Sequence, residues 1–201
     1  VGDVVLGDQV LDHADALRAG GTGRVLGFRV KAPSTLGTFL RSFRWGHVRQ
    51  LDAVASRFLG RLAATSPLLT TAEVGERVMI DVDDTIIEVH GHTKQGSGYG
   101  YSGVRGLNAL LATVSTTQSA PVVVAQRLRK GSCGSPRGAK RLVADALKTA
   151  ASLSTSSAGA KLLVRTDAAF YGRPMVATAL RAGADVSVTV RLDPKVKAAI
   201  T

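Results

Sequence analysis

The chain has 201 residues, 45% of them hydrophobic, with 26 Lys and Arg against 15 Asp and Glu, a formal charge of +11 at pH 7 and a pI near 10.5. That length supports one sizeable core with room for a small accessory domain, and a pI above about 9 is the electrostatic footprint of a nucleic-acid partner, an unspecific basic surface being the alternative. The single cysteine, Cys133 in GSCGS, excludes an internal disulfide and suits a reducing compartment; no run of about 18 apolar residues and no basic-then-apolar leader appears, so no membrane partner is expected.

The first 75 residues read as helical. QVLDHADALRAGG has helical spacing and a Gly-Gly stop. PSTLGTFLRSF predicts a helix with Leu36, Phe39, Leu40 and Phe43 on one face. After a break around Trp45-Gly46, His47 to about Ala64 predicts another, with Val48, Leu51, Val54, Phe58 and Leu62 on the apolar stripe and Arg49, Arg57 and Arg61 opposite. SPLLTTAEVGE reads as a linker. The division is therefore a helical region over 1–75 and a second domain over 76–201.

From Arg77 the period changes from helix to strand. VMIDVDDTIIEVH is a strand; KQGSGYGYSGVRG is a turn or flexible loop; NALLATVSTT and VVVAQRLR are two more strands. Short links between the three predict an antiparallel meander. A helix over Ala139 to about Leu153, a fourth strand in KLLVRTDAAF, a short helix over 173–182 and a fifth strand in DVSVTVRL complete a β-β-β-α-β-α-β order. This is a mixed α/β sheet with crossover helices packed on it.

The stretch VMIDVDDTII sets three aspartates and a threonine in an apolar strand. Burying acid is costly unless a cation or proton answers it. Strand alternation puts Asp81 and Asp83 on one face and Asp84 on the other. Asp167 ends the fourth strand, and if that strand lies beside the first, carboxylates gather at one sheet edge, where α/β sheets bind ligands. Carboxylates without neighbouring His or Cys suit Mg²⁺ or Mn²⁺. Turn capping or backbone bonding is the ordinary alternative for each Asp. His90 and His92, two apart after the first strand, mimic a metal pair without an evident third ligand.

Two resemblances follow. VMIDVDDTII resembles the first motif of haloacid-dehalogenase-type phosphatases, which implies Asp81 as nucleophile and Asp83 as general acid/base. That likeness stops after ten residues, Thr166-Asp167 does not pair acids as that family does, and Lys161 opens its strand. The longer likeness runs through IDVDDT, HGHTKQGSGYGYSGVRGLNALLA, VAQRLRKGSCGSPRGAKRLVADAL and LLVRTDAAFYG. It covers roughly residues 76 to 192 and resembles the DDE transposases of bacterial insertion sequences, of the actinobacterial type with an Asp-x-Asp-x-Thr opening; LRAGGTGRVLG and PSTLGTFLRSF resemble their amino-terminal part. The resemblance implies a ribonuclease-H-like fold, a first metal-binding Asp at Asp83 (Asp81 the close alternative) and a second at Asp167. It implies Mg²⁺ or Mn²⁺, double-stranded DNA as partner at element ends and target, a homodimer or larger assembly of the complete protein, and a place in the cytoplasm on the nucleoid. The amino-terminal helices would serve end recognition or dimerisation.

The family's third acid is a Glu on a later helix, and after Asp167 only Asp185 and Asp193 remain. The chain also opens on Val, so a fragment lacking the third ligand, inactive alone, is expected; a non-catalytic DNA-binding remnant is a further alternative. The basic residues Arg127, Arg129, Lys130, Arg137, Lys140 and Arg141, six within RLRKGSCGSPRGAKR, together with Lys94 and Arg105 around Tyr99 and Tyr101, are expected to hold DNA, a solvated loop being the plainer reading.

Overall fold

A computed structural model of the chain describes residues 15–70, 76–90, 94–153 and 161–200. Among these, contacts divide into two units, residues up to Leu51 with His90 in one, and Asp52–Val89 with Lys94 onward in the other. The division falls inside a helix.

In the first unit, residues 15–18 are helical and end at Gly20, whose φ of +65° is the left-handed conformation that glycine adopts without strain. The rest of the predicted QVLDHA segment lies outside the described residues. A short helix α1 (Thr22–Leu26) follows, not foreseen from the sequence. α2 (Pro33–Arg41) starts where expected, with Pro33 in the first turn after an extended Ala32. The chain breaks at residues 42–44 and α3 (Trp45–Thr65) begins at once. Phe39 and Phe43 meet edge to face at 5.0 Å, and Phe43 meets His47 at 5.8 Å.

The second unit is built on a six-stranded sheet. Its strands are β1 (Arg77–Glu88), β2 (Gly98–Tyr99), β3 (Arg105–Ser115), β4 (Val122–Lys130), β5 (Lys161–Thr166) and β6 (Asp185–Val188). β3 lies antiparallel between β1 and β4, and β5 and β6 continue the sheet parallel to β1 on its other side. The order β4-β3-β1-β5-β6, three antiparallel strands followed by two helix-crossover strands, is the ribonuclease-H-like arrangement. The crossover helices are α4 (Ala139–Leu153) and α5 (Arg173–Arg181); α6 (Pro194–Ile200) follows β6.

One face of the sheet holds the core. Val78, Ile80 and Val82 of β1, Leu110, Ala112 and Val114 of β3, and Val164 of β5 are buried against Leu142, Val143, Ala146 and Ala150 of α4. The alternation in β1 is strict from Val78 to Val82, buried on even numbers and open on odd ones. Leu69 joins the core and Thr70 is bonded through both backbone groups, to Ser119 and Thr116, so residues 66–70 are tied down rather than a free linker.

The apolar stripe expected on α3 does not pack inward. Val54 and Phe58 are exposed, while Leu59 and Ala63 reach the core, Ser56 bonds Thr149, and Gly60 faces Ser152. Small residues of α3, Ser56 and Gly60, face Thr149 and Ser152 of α4. Among the described residues no helix is long and apolar enough to cross a membrane.

The glycine-rich segment after β1 is not a loose loop. β2 occupies the edge of β3 at Arg105–Gly106, and β4 takes the same edge from Leu107 onward. The three backbones converge there. A Cβ on Gly131 would stand 2.0 Å from the Gly106 oxygen and 2.3 Å from the Gly98 oxygen; one on Gly100 would stand 2.4 Å from the Gly131 oxygen. Only glycine fits such a junction. Gly131→Ala is therefore expected to lower unfolding free energy by about 3 kcal/mol in urea melts. Gly134→Ala, where nothing lies within 4 Å, should stay within about 0.5 kcal/mol of the parent.

Candidate metal centre and its basic surroundings

The three aspartates of β1 have three different fates. Asp84 points to the helix-covered face, where its side chain is 5% exposed and pairs with Arg129, itself 9% exposed, at 2.8 Å. Asn108 completes the group: its amide donates to Asp84 at 2.5 Å and its carbonyl accepts from Arg129 Nε at 2.8 Å. Arg129 Nη1 also donates to the backbone oxygens of Gly134, Ser135 and Arg137. Asp84 is thus a buried structural acid answered by an arginine.

Asp81 and Asp83 share the opposite face, as alternation requires. Asp81 is gripped by Arg165 in a two-pronged pair, Nε to Oδ1 at 2.6 Å and Nη2 to Oδ2 at 2.7 Å. The two residues are register partners across β1 and β5. The hydrogen bonds from Arg165 to Asp81 raise the guanidinium's pKa; partial burial lowers it and the charge attraction adds to the rise. Both side chains remain well exposed, 44% for Arg165 and 39% for Asp81, so water screens this pair.

Asp83 and Asp167 each follow the last registered pair of β1 and β5. Val82 pairs with Thr166, and Asp83 and Asp167 are the next residues on the two parallel strands. Neighbouring strands run about 4.8 Å apart. Asp167 keeps an extended backbone, φ −80° and ψ −179°, before the 3₁₀ turn Ala168–Phe170. One oxygen of each carboxylate serves its own chain: Asp83 Oδ1 accepts from the Asp84 amide at 2.8 Å, and Asp167 Oδ1 from the Ala169 amide at 3.0 Å. Both residues are exposed, and among the described residues neither is in an ion pair. The remaining oxygens are hard donors open to solvent, the chemistry a divalent cation takes.

No third acid joins them. Among the described residues no group of three or more His, Cys, Asp or Glu gathers at one place. Asp185 opens β6 level with Leu163, four residues below Asp167, and bonds Arg77. Asp193 caps α6, accepting from the Lys195 and Val196 amides at 2.9 Å. His92 lies outside the described residues, so the His90–His92 pair has no structural account here.

The basic residues separate as well. Arg129 is buried in the Asp84 group, and Arg127 is 12% exposed and paired with Asp145 of α4. Both were expected at a DNA surface; they are instead committed to the protein's interior, because β4's alternation turns residues 127 and 129 onto the helix-covered face. Lys130, Arg137, Lys140, Arg141 and Lys94 are exposed, and Arg105 is half-buried as the cross-strand partner of Tyr99. Cys133 is half-buried with its thiol directed at the Gly134 oxygen, 3.7 Å away, a small loop residue as expected. Sequence reading missed Asn108 and Arg165. Asn108 gives itself away as the one amide in the apolar run LNALLA, and Arg165 stands two before Asp167 at the strand spacing that shares a face.

No family model matches the chain and no curated protein matches it. Among solved structures, piggyBac transposase in a synaptic complex with hairpin DNA is 15% identical over 62% of this chain and 26% of its own, with a TM-score of 0.41. The Mos1 transposase paired-end complex with the left transposon end is 13% identical over 90% of this chain and 57% of that one, TM-score 0.31. The Mos1 strand transfer complex is 12% identical over 95% and 59%, TM-score 0.32. The chain spans about a quarter of the first and under three-fifths of the other two.

The two arginine–aspartate pairs should behave oppositely on deletion. Arg129→Ala leaves Asp84 buried and unanswered and is expected to cost about 3–5 kcal/mol of unfolding free energy. Arg165→Gln opens a solvated pair and should cost under about 1 kcal/mol. Equilibrium urea unfolding of the two variants side by side checks this.

Proposed function

We propose that this chain carries the first two metal-binding acids of a DDE-type transposase of bacterial insertion sequences, and that its chemistry is cleavage and joining of DNA phosphodiesters. The observation that supports the reading is the parallel register of β1 and β5, which pairs Val82 with Thr166, the residues immediately before Asp83 in mid-β1 and Asp167 just past the end of β5. The sequence resemblance over residues 76 to 192 points to the same two residues.

The donor set fits Mg²⁺ or Mn²⁺: two carboxylates, oxygen only, each with an oxygen unused by the protein. When bound, such cations activate a water or hydroxyl and stabilise the leaving oxygen of a phosphodiester. The chain's own residues hold and orient. Asp83 and Asp167 would be the ligands. Lys130, Arg137, Lys140 and Arg141 would grip the DNA backbone from the loop and the start of α4, with Lys94 beside the glycine junction. In the first displacement a water oxygen bonds to phosphorus as the 3′-oxygen departs as a hydroxyl. In the second that hydroxyl attacks a target phosphodiester and displaces the target's own 3′-oxygen.

This reading requires a third acid, and Asp185 and Asp193 are engaged elsewhere. The 201 residues are proposed to be catalytically inactive by themselves. The two-acid set also favours a second reading, in which the chain binds DNA without cutting it. The phosphatase reading is weakened by Arg165, which occupies both oxygens of the Asp81 carboxylate that would have to attack.

Manganese binding followed by electron paramagnetic resonance tests the site. The parent should bind Mn²⁺, Asp83→Asn and Asp167→Asn should each lose that binding, and Asp81→Asn should keep it. Retention in both of the first two variants rejects the site. Turnover of p-nitrophenyl phosphate that disappears in Asp81→Asn would restore the phosphatase.

DNA affinity should fall steeply with salt. Each of Lys130→Ala, Arg137→Ala, Lys140→Ala and Arg141→Ala should lower the slope of log K against log salt by about 1, measured by fluorescence anisotropy on duplex DNA. A slope that none of them changes counts against the basic surface.

A further inference from the structure

We propose that Tyr99 and Tyr101 form a stacking site for an unpaired DNA base. The inference rests on the DNA partner proposed above and assigns a ligand to a segment that the metal site does not use.

Tyr99 is 68% exposed and Tyr101 74%, and neither side chain has a ring contact or hydrogen bond with any described residue. Two large amphipathic rings within three residues are thus held in water, where they gain nothing for folding. The backbone beneath them is rigid. Tyr99 pairs with Arg105 in β2–β3, and the flanking Gly98 and Gly100 press on Gly131 so closely that no side chain fits. The Gly131 amide donates to the Gly96 oxygen at 3.0 Å, and Gly103 turns back to the Gly100 oxygen at 3.1 Å. A platform ordered in advance loses little freedom on binding.

The charge around the platform selects the ligand. No Asp or Glu occurs between Glu88 and Asp145 in the sequence. Exposed Lys94 opens the turn before β2, its oxygen accepting from Ser97, and the Lys130 stem passes beside Gly96. Exposed rings in a segment rich in cations match a polyanion that presents a free base face. Fully paired duplex presents none, because its bases are stacked on one another. An unpaired nucleotide, at a frayed or cleaved end, presents one.

The test compares the 201-residue chain on a blunt duplex and on the same duplex with a short unpaired 3′ tail, by fluorescence anisotropy. The parent should prefer the tailed DNA by about 10-fold. Tyr99→Ala with Tyr101→Ala should remove that preference and leave blunt-duplex affinity within about twofold, whereas the Tyr→Phe pair should keep it, since stacking needs the ring and not the hydroxyl. In 3-fluorotyrosine-labelled parent, the two resonances assigned to Tyr99 and Tyr101 should shift with tailed DNA and not with blunt DNA, while Tyr171 stays still. Absence of any tail preference in the parent, or its survival in the Ala pair, overturns the stacking site while duplex binding keeps the DNA reading alive. Failure of the parent to bind either DNA at low salt overturns both.

Discussion

Asp84 could not stay where it is without Arg129. A carboxylate on the covered face of a central strand needs a cation and hydrogen bonds to offset the loss of water. Arg129 supplies both from β4, and Asn108 on the intervening β3 bridges them. The same guanidinium reaches three carbonyls of the loop that follows, so the group locks three strands and the loop leading into α4. Exposed Lys130, Arg137, Lys140 and Arg141 are therefore presented from an anchored segment. An arginine that looks like part of a DNA-binding run is the piece that holds the run in place.

With Asp84 withdrawn, the other face of β1 carries Asp81 and Asp83, the acids on which the proposed function rests. Parallel pairing with β5 sets Arg165 opposite Asp81 and Thr166 opposite Val82, and Asp83 and Asp167 are the residues that follow. At the first of these pairs opposite charges meet and satisfy each other. Beyond the last registered pair, Asp83 and Asp167 are each braced by one backbone amide and exposed to solvent. Asp81 is answered by Arg165 and Asp83 by no cation among the described residues, which is why the proposal takes Asp83 rather than Asp81 as the ligand.

Glycine has a matching role at the other end of β1. β2 and β4 compete for one edge of β3, and the handover is so tight that Gly100, Gly106 and Gly131 leave no room for a side chain. The strand meander and the tyrosines raised above it both depend on that contact. Composition marks the segment as permissive, whereas packing makes it one of the most constrained parts of the chain.

Local periodicity was enough to read much of this protein. The alternation in VMIDVDDTII separates Asp84 from Asp81 and Asp83, the helix over 139–153 follows from its apolar spacing, and the strand order allows β5 beside β1. These features arise from neighbours in sequence, which is where period-2 and period-3.6 patterns live. Partner choice is different, because it joins residues far apart along the chain. That Arg129 answers an acid 45 positions away, that Arg165 takes Asp81 84 positions away, and that α3 turns Ser56 and Gly60 rather than Phe58 toward α4 were decided by register and close packing. The sequence by itself determined which residues are acidic, basic or apolar and, for β1 and α4, which face of the element each one takes. Only the tertiary structure decided which charges are spent on each other, and that Asp83 and Asp167 are not among those so paired in the described residues.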